Sequence, residues 1–458
     1  MVGGLSAGGV ALAMSSLLVA VHALLLPGGH WMADEFLVAE TDARNGWRSV
    51  LGRFWFWSPR PAAELLGTPY LLLAHALQRP LAAPFLCALW VGTAAGVAWA
   101  ARLAGERHPW RLSVLLFALL LCLSRPDQMF FWPLATVAYL PCWAGLAVAA
   151  MLLRSDREFP RLLPAALLLA AFSAEVGAAT VLLGIALMML PGMAGRTGFR
   201  SAIREERWMM LAAAGALGIC VLVATARVST MSEIFDRGSG LGGSWPRSLL
   251  ASVPAFAAAL PAVPGMPWWA GAAAKTALLF GLPAPDAEPR RRRRLFAWGL
   301  ALLGGAWLSV LLALHQFGAL CCSRHASLRQ GMILLALLCF AALLPRKGRP
   351  VGSPRGREAR LWLVPLVLAV LLCGRLPVVA GDLHRLPAFL RAREAEWRSG
   401  RSAGDAMMLR VGPGGRLFGG PDWKPGSLVR ANGGEPGFGL DGIAAFFNKR
   451  RIEARPVP

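Results

Sequence analysis

Charged residues are scarce in this chain. They make up only 16% of the 458 residues, and no Asp, Glu, Lys or Arg occurs between Met1 and Met32. Hydrophobic residues account for 56%, and they form continuous runs such as LLFALLLCL, which differ from the short alternating segments of a membrane β-barrel. This composition excludes an ordinary soluble enzyme and predicts an all-α polytopic membrane protein.

Metal-type cysteine spacing and internal repeats are also missing. The eight Cys residues include no CxxC pair and no zinc-type spacing, and most of them lie within apolar runs. We therefore expect buried thiols that act as small hydrophobic side chains. The lack of an internal repeat weakens the interpretation of a secondary transporter built from inverted halves.

Positive charge is abundant, with a formal net charge of +22. In a soluble protein this would suggest a nucleic-acid partner. However, 21 of the 47 Lys and Arg fall in every second predicted loop, that is, in loops on the same side of the membrane. These loops contain Arg102 to Arg111, Arg154 to Arg161, Arg196 to Arg207, Arg290 to Arg294 and Arg346 to Arg360. The positive-inside rule accounts for them, so we expect cytoplasmic loops and no nucleic-acid partner.

The apolar runs predict roughly eleven transmembrane helices, starting with a cytoplasmic N-terminus and a helix at Ala7 to Leu26. The run from Leu162 to Leu190 is predicted to be two tilted half-length helices that meet at Glu175, because a single span would invert the later basic loops. The last span is predicted at Leu361 to Leu372. This divides the chain into a transmembrane domain, 1–374, and a small extracytoplasmic C-terminal module, 375–458.

The first charges lie in a predicted outer loop, 27–62. Asp34 and Glu35 stand side by side directly after the first apolar run, where a charged pair must face water, a cavity or a partner charge. The Trp and Arg spacing between Glu40 and Trp57 predicts an amphipathic helix at the membrane interface. A second interfacial helix or re-entrant segment is predicted at Ala62 to Leu77.

Alternation of the spans places several charged residues on the same outer side of the membrane. They are Asp34, Glu35, Arg60, Asp127, Glu175, Arg324 and His325. Such convergence is typical of a catalytic cavity. Each residue also has a structural alternative: a solvated helix end for Asp34 with Glu35, or a helix cap for Asp127. That alternative is weakest for Glu175, since an unpaired carboxylate in an apolar stretch is costly.

These features resemble the GT-C superfamily of integral-membrane glycosyltransferases, which use polyprenyl-phosphate-linked sugars. The first helix is followed by an acidic motif, ADEF at Ala33 to Phe36, and then by two interfacial helices. The roughly eleven predicted spans are close to the dozen of that family, and a C-terminal module follows them. The loop SRHASLRQ is similar to the position where many members carry an Arg-Tyr pair that meets lipid phosphate. Here Arg324 is followed by His325 instead.

The resemblance implies an inverting mechanism in which Asp34 is the general base and Glu35 is its partner or an orienting group. Arg60 and Arg324 would neutralise the phosphate of the leaving group, with assistance from His325. Asp127 and Glu175 would bind sugar hydroxyls or, with Asp34, a divalent cation. No DxD motif occurs near Asp34, and the metal requirement stays open.

The implied activity moves a sugar from a polyprenyl-phosphate donor to a cell-envelope glycan, lipid or protein. It would take place at the periplasmic face of a bacterial inner membrane, and the high Ala, Gly, Leu and Arg content favours a bacterial source. Two alternatives stay open. One is a transporter or flippase of a lipid-linked saccharide, and the other is an assembly subunit whose acids are structural.

Overall fold

The computed structural model describes most of the chain. The described residues are 6–56, 59–155, 157–193, 207–234, 244–283, 288–320, 322–344, 360–411, 414–420, 428–430 and 440–456. Most of the basic residues predicted at 196–207 and 346–360, and the Gly- and Ser-rich loop around 235–243, lie outside them. Among the described residues, six helices are long and apolar enough to cross a bilayer, which defines an α-helical, membrane-embedded protein.

The first half of the chain contains ten helices within the described ranges. They are α1 (Ala7–Ala23), α2 (Ala33–Asn45), α3 (Trp47–Phe56), α4 (Pro61–Leu77), α5 (Ala82–Leu103), α6 (Pro109–Leu123), α7 (Pro126–Phe131), α8 (Pro133–Leu153), α9 (Leu162–Ser173) and α10 (Glu175–Met193). A short 3-10 turn, Leu26–Gly28, follows α1. Proline at the first position starts several of them, where its missing N–H costs nothing.

The second half contains longer helices and a small sheet. The helices are α11 (Arg207–Ile234), α12 (Trp245–Ala259), α13 (Trp268–Gly281), α14 (Pro289–Phe317), α15 (Ser323–Ala341), α16 (Leu363–Arg401) and α17 (Leu440–Phe446). The strands are β1 (Ala406–Val411), β2 (Leu428–Arg430) and β3 (Arg451–Pro456). β3 lies in the middle, parallel to β1 and antiparallel to β2.

Helix α8 forms the centre of the bundle. Nearly all of its side chains are buried, including Tyr139 and Trp143. It packs against α4, α5, α9 and α15, and it carries no charged residue. A helix that is apolar on every face is stable within a protein core or in lipid, and α8 is surrounded by other helices. The residues that begin α8 are therefore held in one place by the whole bundle.

The predicted break at Glu175 is confirmed. Helix α9 ends at Ser173, Ala174 is extended with φ −153° and ψ 148°, and Glu175 begins α10. The two helices cross very closely, because a Cβ on Gly177 would lie 2.2 Å from the carbonyl oxygen of Ala170. Only glycine allows this approach.

Two elements differ from the predictions. The interfacial helix predicted at 40–57 is a pair, α2 and α3, and α2 already begins at Ala33. Gly46 separates them with φ +56°, a conformation that glycine adopts without strain. The last span, predicted to end at Leu372, continues as one helix to Arg401, so the boundary predicted at 374/375 falls inside α16.

The described residues after α16 form a small unit with the sheet, α17 and a turn at 414–420, which we call the C-terminal unit. It packs on α2 through an aromatic cluster of Trp31, Phe36, Trp397, Phe446 and Phe447. The centroids of the Trp31 and Trp397 rings are 5.4 Å apart, and those of Phe36 and Phe446 are 5.3 Å apart. This burial fixes α2 from one side.

The close crossing of α9 and α10 can be tested with Gly177→Ala. The added Cβ forces the backbones apart, and we expect a loss of about 1–3 kcal/mol in the free energy of unfolding, as is usual for an overpacked core. Thermal unfolding of the purified protein in detergent measures it. The matched control is Gly92→Ala, where no atom lies within 4 Å of the new Cβ. Equal melting temperatures for the two variants would contradict the crossing.

Candidate functional site

The first turn of α15 brings three elements of the candidate site together. The Ser323 hydroxyl donates to Asp127 Oδ2 over 2.8 Å. The Arg324 guanidinium lies over the Trp132 ring, 4.8 Å from its centroid, which is cation–π geometry. His325 Nε2 lies 3.2 Å from the Tyr139 hydroxyl. One helical turn therefore contacts α7 and both the start and the interior of α8.

Arg60 and Glu175, which are 115 residues apart in the sequence, form an ion pair. Arg60 Nη2 donates to both carboxylate oxygens over 3.0 Å, and Nε donates to Oε2 over 3.3 Å. The same guanidinium contacts Tyr139, both through its hydroxyl at 3.4 Å and over its ring at 5.3 Å. Glu175, Arg60, Tyr139 and His325 are thus connected in one chain, which includes three of the seven residues predicted from sequence.

The acidic residues of α2 have different surroundings. Glu40 pairs with Arg44 and with His75, and Asp42 accepts two hydrogen bonds from Arg53. Those acids hold α2 against α3 and α4.

Asp34 is different, because within the described part of the chain its carboxylate makes no hydrogen bond, although it is partly buried. Burial raises the pKa of Asp34, and the positive charge of Arg324 opposes that shift. Arg324 is thus near enough for its charge to act on the Asp34 carboxyl. This places Asp34 in the group of residues around α15.

Glu35 is completely buried and has a different role from its neighbour. Its two carboxyl oxygens accept the backbone N–H groups of Met32, at 2.9 Å, and Leu134, at 3.0 Å. It therefore caps the beginnings of both α2 and α8. Burial raises the pKa of Glu35 to about 8, more than these hydrogen bonds lower it, and Asp34 adds to the rise. Of the two predicted roles, partner or orienting group, this geometry favours the orienting role.

The structure does not bring together Asp34, Asp127 and Glu175, the three acids for which a shared divalent cation was one of two alternatives. Glu175 is neutralised by Arg60, and Asp127 is bonded to Ser323. Throughout the described residues, no group of three or more His, Cys, Asp or Glu side chains is close enough to hold a metal ion. Asp127 Oδ1 is buried and has no hydrogen-bond partner in the described part of the chain. Burial raises the pKa of Asp127, although the hydrogen bond from Ser323 lowers it.

The turn at 414–420 of the C-terminal unit reaches the same place, which the sequence analysis did not predict. A Cβ on Gly419 would lie 3.4 Å from both Asp127 Cβ and His30 Cε1. Asp382, on α16, fixes the turn by accepting the backbone N–H groups of Arg416, at 2.8 Å, and Leu417, at 2.7 Å. Burial lowers the pKa of His30 to about 4, so this ring stays neutral beneath the turn.

Tyr139 and Trp132 were also missed by the sequence analysis. Both occur in a strongly apolar segment, where aromatic residues are expected in the core. The chain contains only two tyrosines, and a buried tyrosine hydroxyl usually has a hydrogen-bond partner. That rarity was the available signal for Tyr139. For Trp132, only its position directly before Pro133 set it apart.

Comparison of the chain with protein-family models, with curated proteins and with solved structures finds no match. The functional argument therefore depends on the site itself.

The buried carboxyl of Glu35 predicts a pH-dependent stability. The native carboxyl keeps its proton up to about pH 8, whereas the unfolded one releases it near 4.5. The free energy of unfolding is therefore highest below pH 4.5 and falls as the pH rises toward 8. We expect Glu35→Gln, which cannot ionise, to reduce this fall. It should also lower the melting temperature at pH 5, because one N–H loses its acceptor.

Melting temperatures measured between pH 5 and pH 8 check this expectation. Glu394→Gln, at an exposed carboxylate on α16, is the matched control and should keep the wild-type profile. An unchanged pH profile in the Glu35→Gln variant would show that Glu35 is ionised throughout this range.

Proposed function

We propose that this protein is a membrane glycosyltransferase that moves a sugar from a polyprenyl-phosphate donor to a cell-envelope glycan, lipid or protein. The observation that carries the proposal is the pair Asp34 and Arg324: a carboxylate without a hydrogen-bond partner among the described residues, within the electrostatic influence of a guanidinium that lies over the Trp132 ring. Inverting transfer needs a base for the acceptor hydroxyl and a cation for the leaving phosphate.

Asp34 suits the role of the base. Its carboxylate is partly exposed, so an acceptor can reach it, and the raised pKa strengthens it as a proton acceptor. The carboxylate accepts the hydroxyl proton while the hydroxyl oxygen attacks the anomeric carbon and the lipid phosphate departs. Glu35 fixes the helix turn that carries Asp34 through the N–H group of Met32. Glu35 is therefore a positioning residue.

Arg324 suits the role of the phosphate-binding cation. Its Nε is buried without a hydrogen-bond partner, and within the described residues its side chain has no ion pair. Arg60, the other candidate, already donates to both oxygens of Glu175. Arg60 and Glu175 therefore neutralise each other. We assign both residues the role of positioning Tyr139, which in turn positions His325. Asp127 remains available for sugar hydroxyls through Oδ1.

The proposal includes a topology. The six long helices, together with the shorter apolar helices such as α6, α9 and α10, are compatible with roughly eleven spans in a bacterial inner membrane. The N-terminus would be cytoplasmic, and the C-terminal unit would lie on the periplasmic side, over the site. Support for this orientation comes from the positive-inside rule.

The decisive variant is Asp34→Asn. The amide has nearly the same size but cannot accept the hydroxyl proton, so we expect the rate of sugar transfer to fall about 10²–10⁴-fold. Transfer from a radiolabelled polyprenyl-phosphate sugar in proteoliposomes, or complementation of a deletion strain, measures it. Glu394→Gln is the control and should keep full activity. Melting temperatures of both variants must match the wild type, and a folded Asp34→Asn protein with full activity would refute the base assignment.

A second candidate function, translocation of a lipid-linked saccharide, is favoured by one observation. Arg329 on α15 is only 7% exposed, its Nε has no hydrogen-bond partner, and the described residues provide no ion pair for it. Lys275 on α13 lies buried nearby, bound to the carbonyl oxygen of Ala262 and to Gln330 Oε1. Such buried cations are typical of a pathway for anions.

A flipping assay distinguishes the two functions. In proteoliposomes with a fluorescent lipid-linked saccharide and no acceptor, a flippase exposes the probe to a membrane-impermeant quencher, whereas a glycosyltransferase leaves it protected. Flipping that is lost in Arg329→Gln but kept in Asp34→Asn would favour translocation over transfer.

A further inference from the structure

A cavity of about 320 Å³ lies between the helix bundle and the C-terminal unit. Its walls are the end of α6 with the start of α7, the loop at 264–266, the middle of α16 and the turn at 414–420. The volume is at the lower end of the range of about 300–1,000 Å³ that is usual for small-molecule sites. The cavity can therefore hold one compact ligand.

The polar lining of the cavity is strongly cationic. Arg125, Arg375 and Arg416 line it together with a single acid, Asp127. Within the described residues, none of the three arginines forms a salt bridge. Three positive charges around one negative charge leave a site that attracts anions.

The fold fixes the guanidinium of one arginine and the backbone of another. The side chain of Arg375 is only 8% exposed, and its Nη2 donates to the carbonyl oxygens of Cys122, at 2.6 Å, and Ser124, at 2.8 Å. Asp382 anchors the backbone of Arg416 through a hydrogen bond of 2.8 Å. The Arg375 guanidinium is thus preorganised for a phosphate or a carboxylate, and the Arg416 side chain extends from a fixed turn.

Other parts of the lining favour a ligand with hydroxyl groups. Asp127 Oδ1 is buried and has no hydrogen-bond partner among the residues that the structure describes, so it can accept a hydrogen bond from a ligand hydroxyl. Met266, Leu371 and Val378 also line the cavity and provide apolar surface beside the charged groups. Sugars combine hydroxyl groups with apolar C–H faces, and the cavity matches both features.

We propose that this cavity binds a sugar that carries a phosphate or carboxylate group. The proposal that such a sugar binds depends only on the residues that line the cavity. The assignment of this sugar as the acceptor substrate rests on the proposed function. Asp127, which lines the cavity, also accepts a hydrogen bond from Ser323, the residue before Arg324. The cavity therefore adjoins the site of transfer, and it selects acidic saccharides.

The test is isothermal titration calorimetry on the full-length protein in phosphatidylcholine nanodiscs, which contribute no net anionic headgroup. The probes are glucose 6-phosphate, glucuronate and unmodified glucose. We expect one site for at least one of the two anionic sugars, at least tenfold tighter than for glucose. The tighter of the two identifies the recognised anion as phosphate or carboxylate.

Variants locate the site. Arg125→Gln and Arg416→Gln change exposed arginines, so both proteins should fold, and each should weaken binding about tenfold through loss of a charge-assisted contact. Arg398→Gln, at an exposed position outside the cavity, should leave binding unchanged. The inference is overturned if neither anionic sugar binds, if glucose binds equally well, or if both cavity variants bind as the wild type does.

The outcome of the calorimetry can be distinguished from the outcome of the transfer assay. Asp34→Asn, which should abolish transfer, should keep the wild-type affinity for the anionic sugar, because Asp34 does not line the cavity. Binding without any transfer in the wild type would retain the cavity proposal and reject the enzyme. Transfer without binding would reject the cavity proposal and retain the enzyme.

Discussion

The ion pair between Arg60 and Glu175 is the interaction on which the polar end of the bundle depends. Glu175 begins a helix in an apolar stretch, where an unpaired carboxylate is not tolerated, and Arg60 binds both of its oxygens. Removing one partner of a buried pair typically costs about 3–5 kcal/mol, because the other charge is left uncompensated. Since Arg60 also contacts Tyr139, the pair determines where the Tyr139 hydroxyl meets His325.

The fold and the site differ in how far they could be predicted from sequence. Apolar runs and prolines were sufficient to predict most helices, and the charge of Glu175 was sufficient to predict the break between α9 and α10. Convergence of Arg60, Glu175 and His325 followed from membrane sidedness alone. Which of these residues contact one another could not be predicted, because the alternation of spans gives only the side of the membrane on which a residue lies. Tyr139 was hidden in an apolar helix, and nothing local distinguished Asp34, which is partly exposed, from Glu35, which is completely buried.

Two bodies, the helix bundle and the C-terminal unit, meet at the site. The bundle contributes cations and aromatic rings through α8 and α15, whereas α2 contributes the available carboxylate of Asp34. The C-terminal unit holds α2 through Trp31 and Phe36 and covers Asp127 with Gly419. The region that looked like a separate module in the sequence is therefore one wall of the site. The continuous helix α16 joins the two bodies covalently.

The strand order of the small sheet has a consequence for biosynthesis. In the described part of the sheet, β1 and β2 each pair only with β3, which follows both in sequence. Neither strand has a partner until residues 451–456 have been synthesised, 45 residues after the end of β1. At roughly 5–20 residues per second this delay lasts about 2–9 seconds. During that interval the edges of β1, and later those of β2, are open to pairing with other chains.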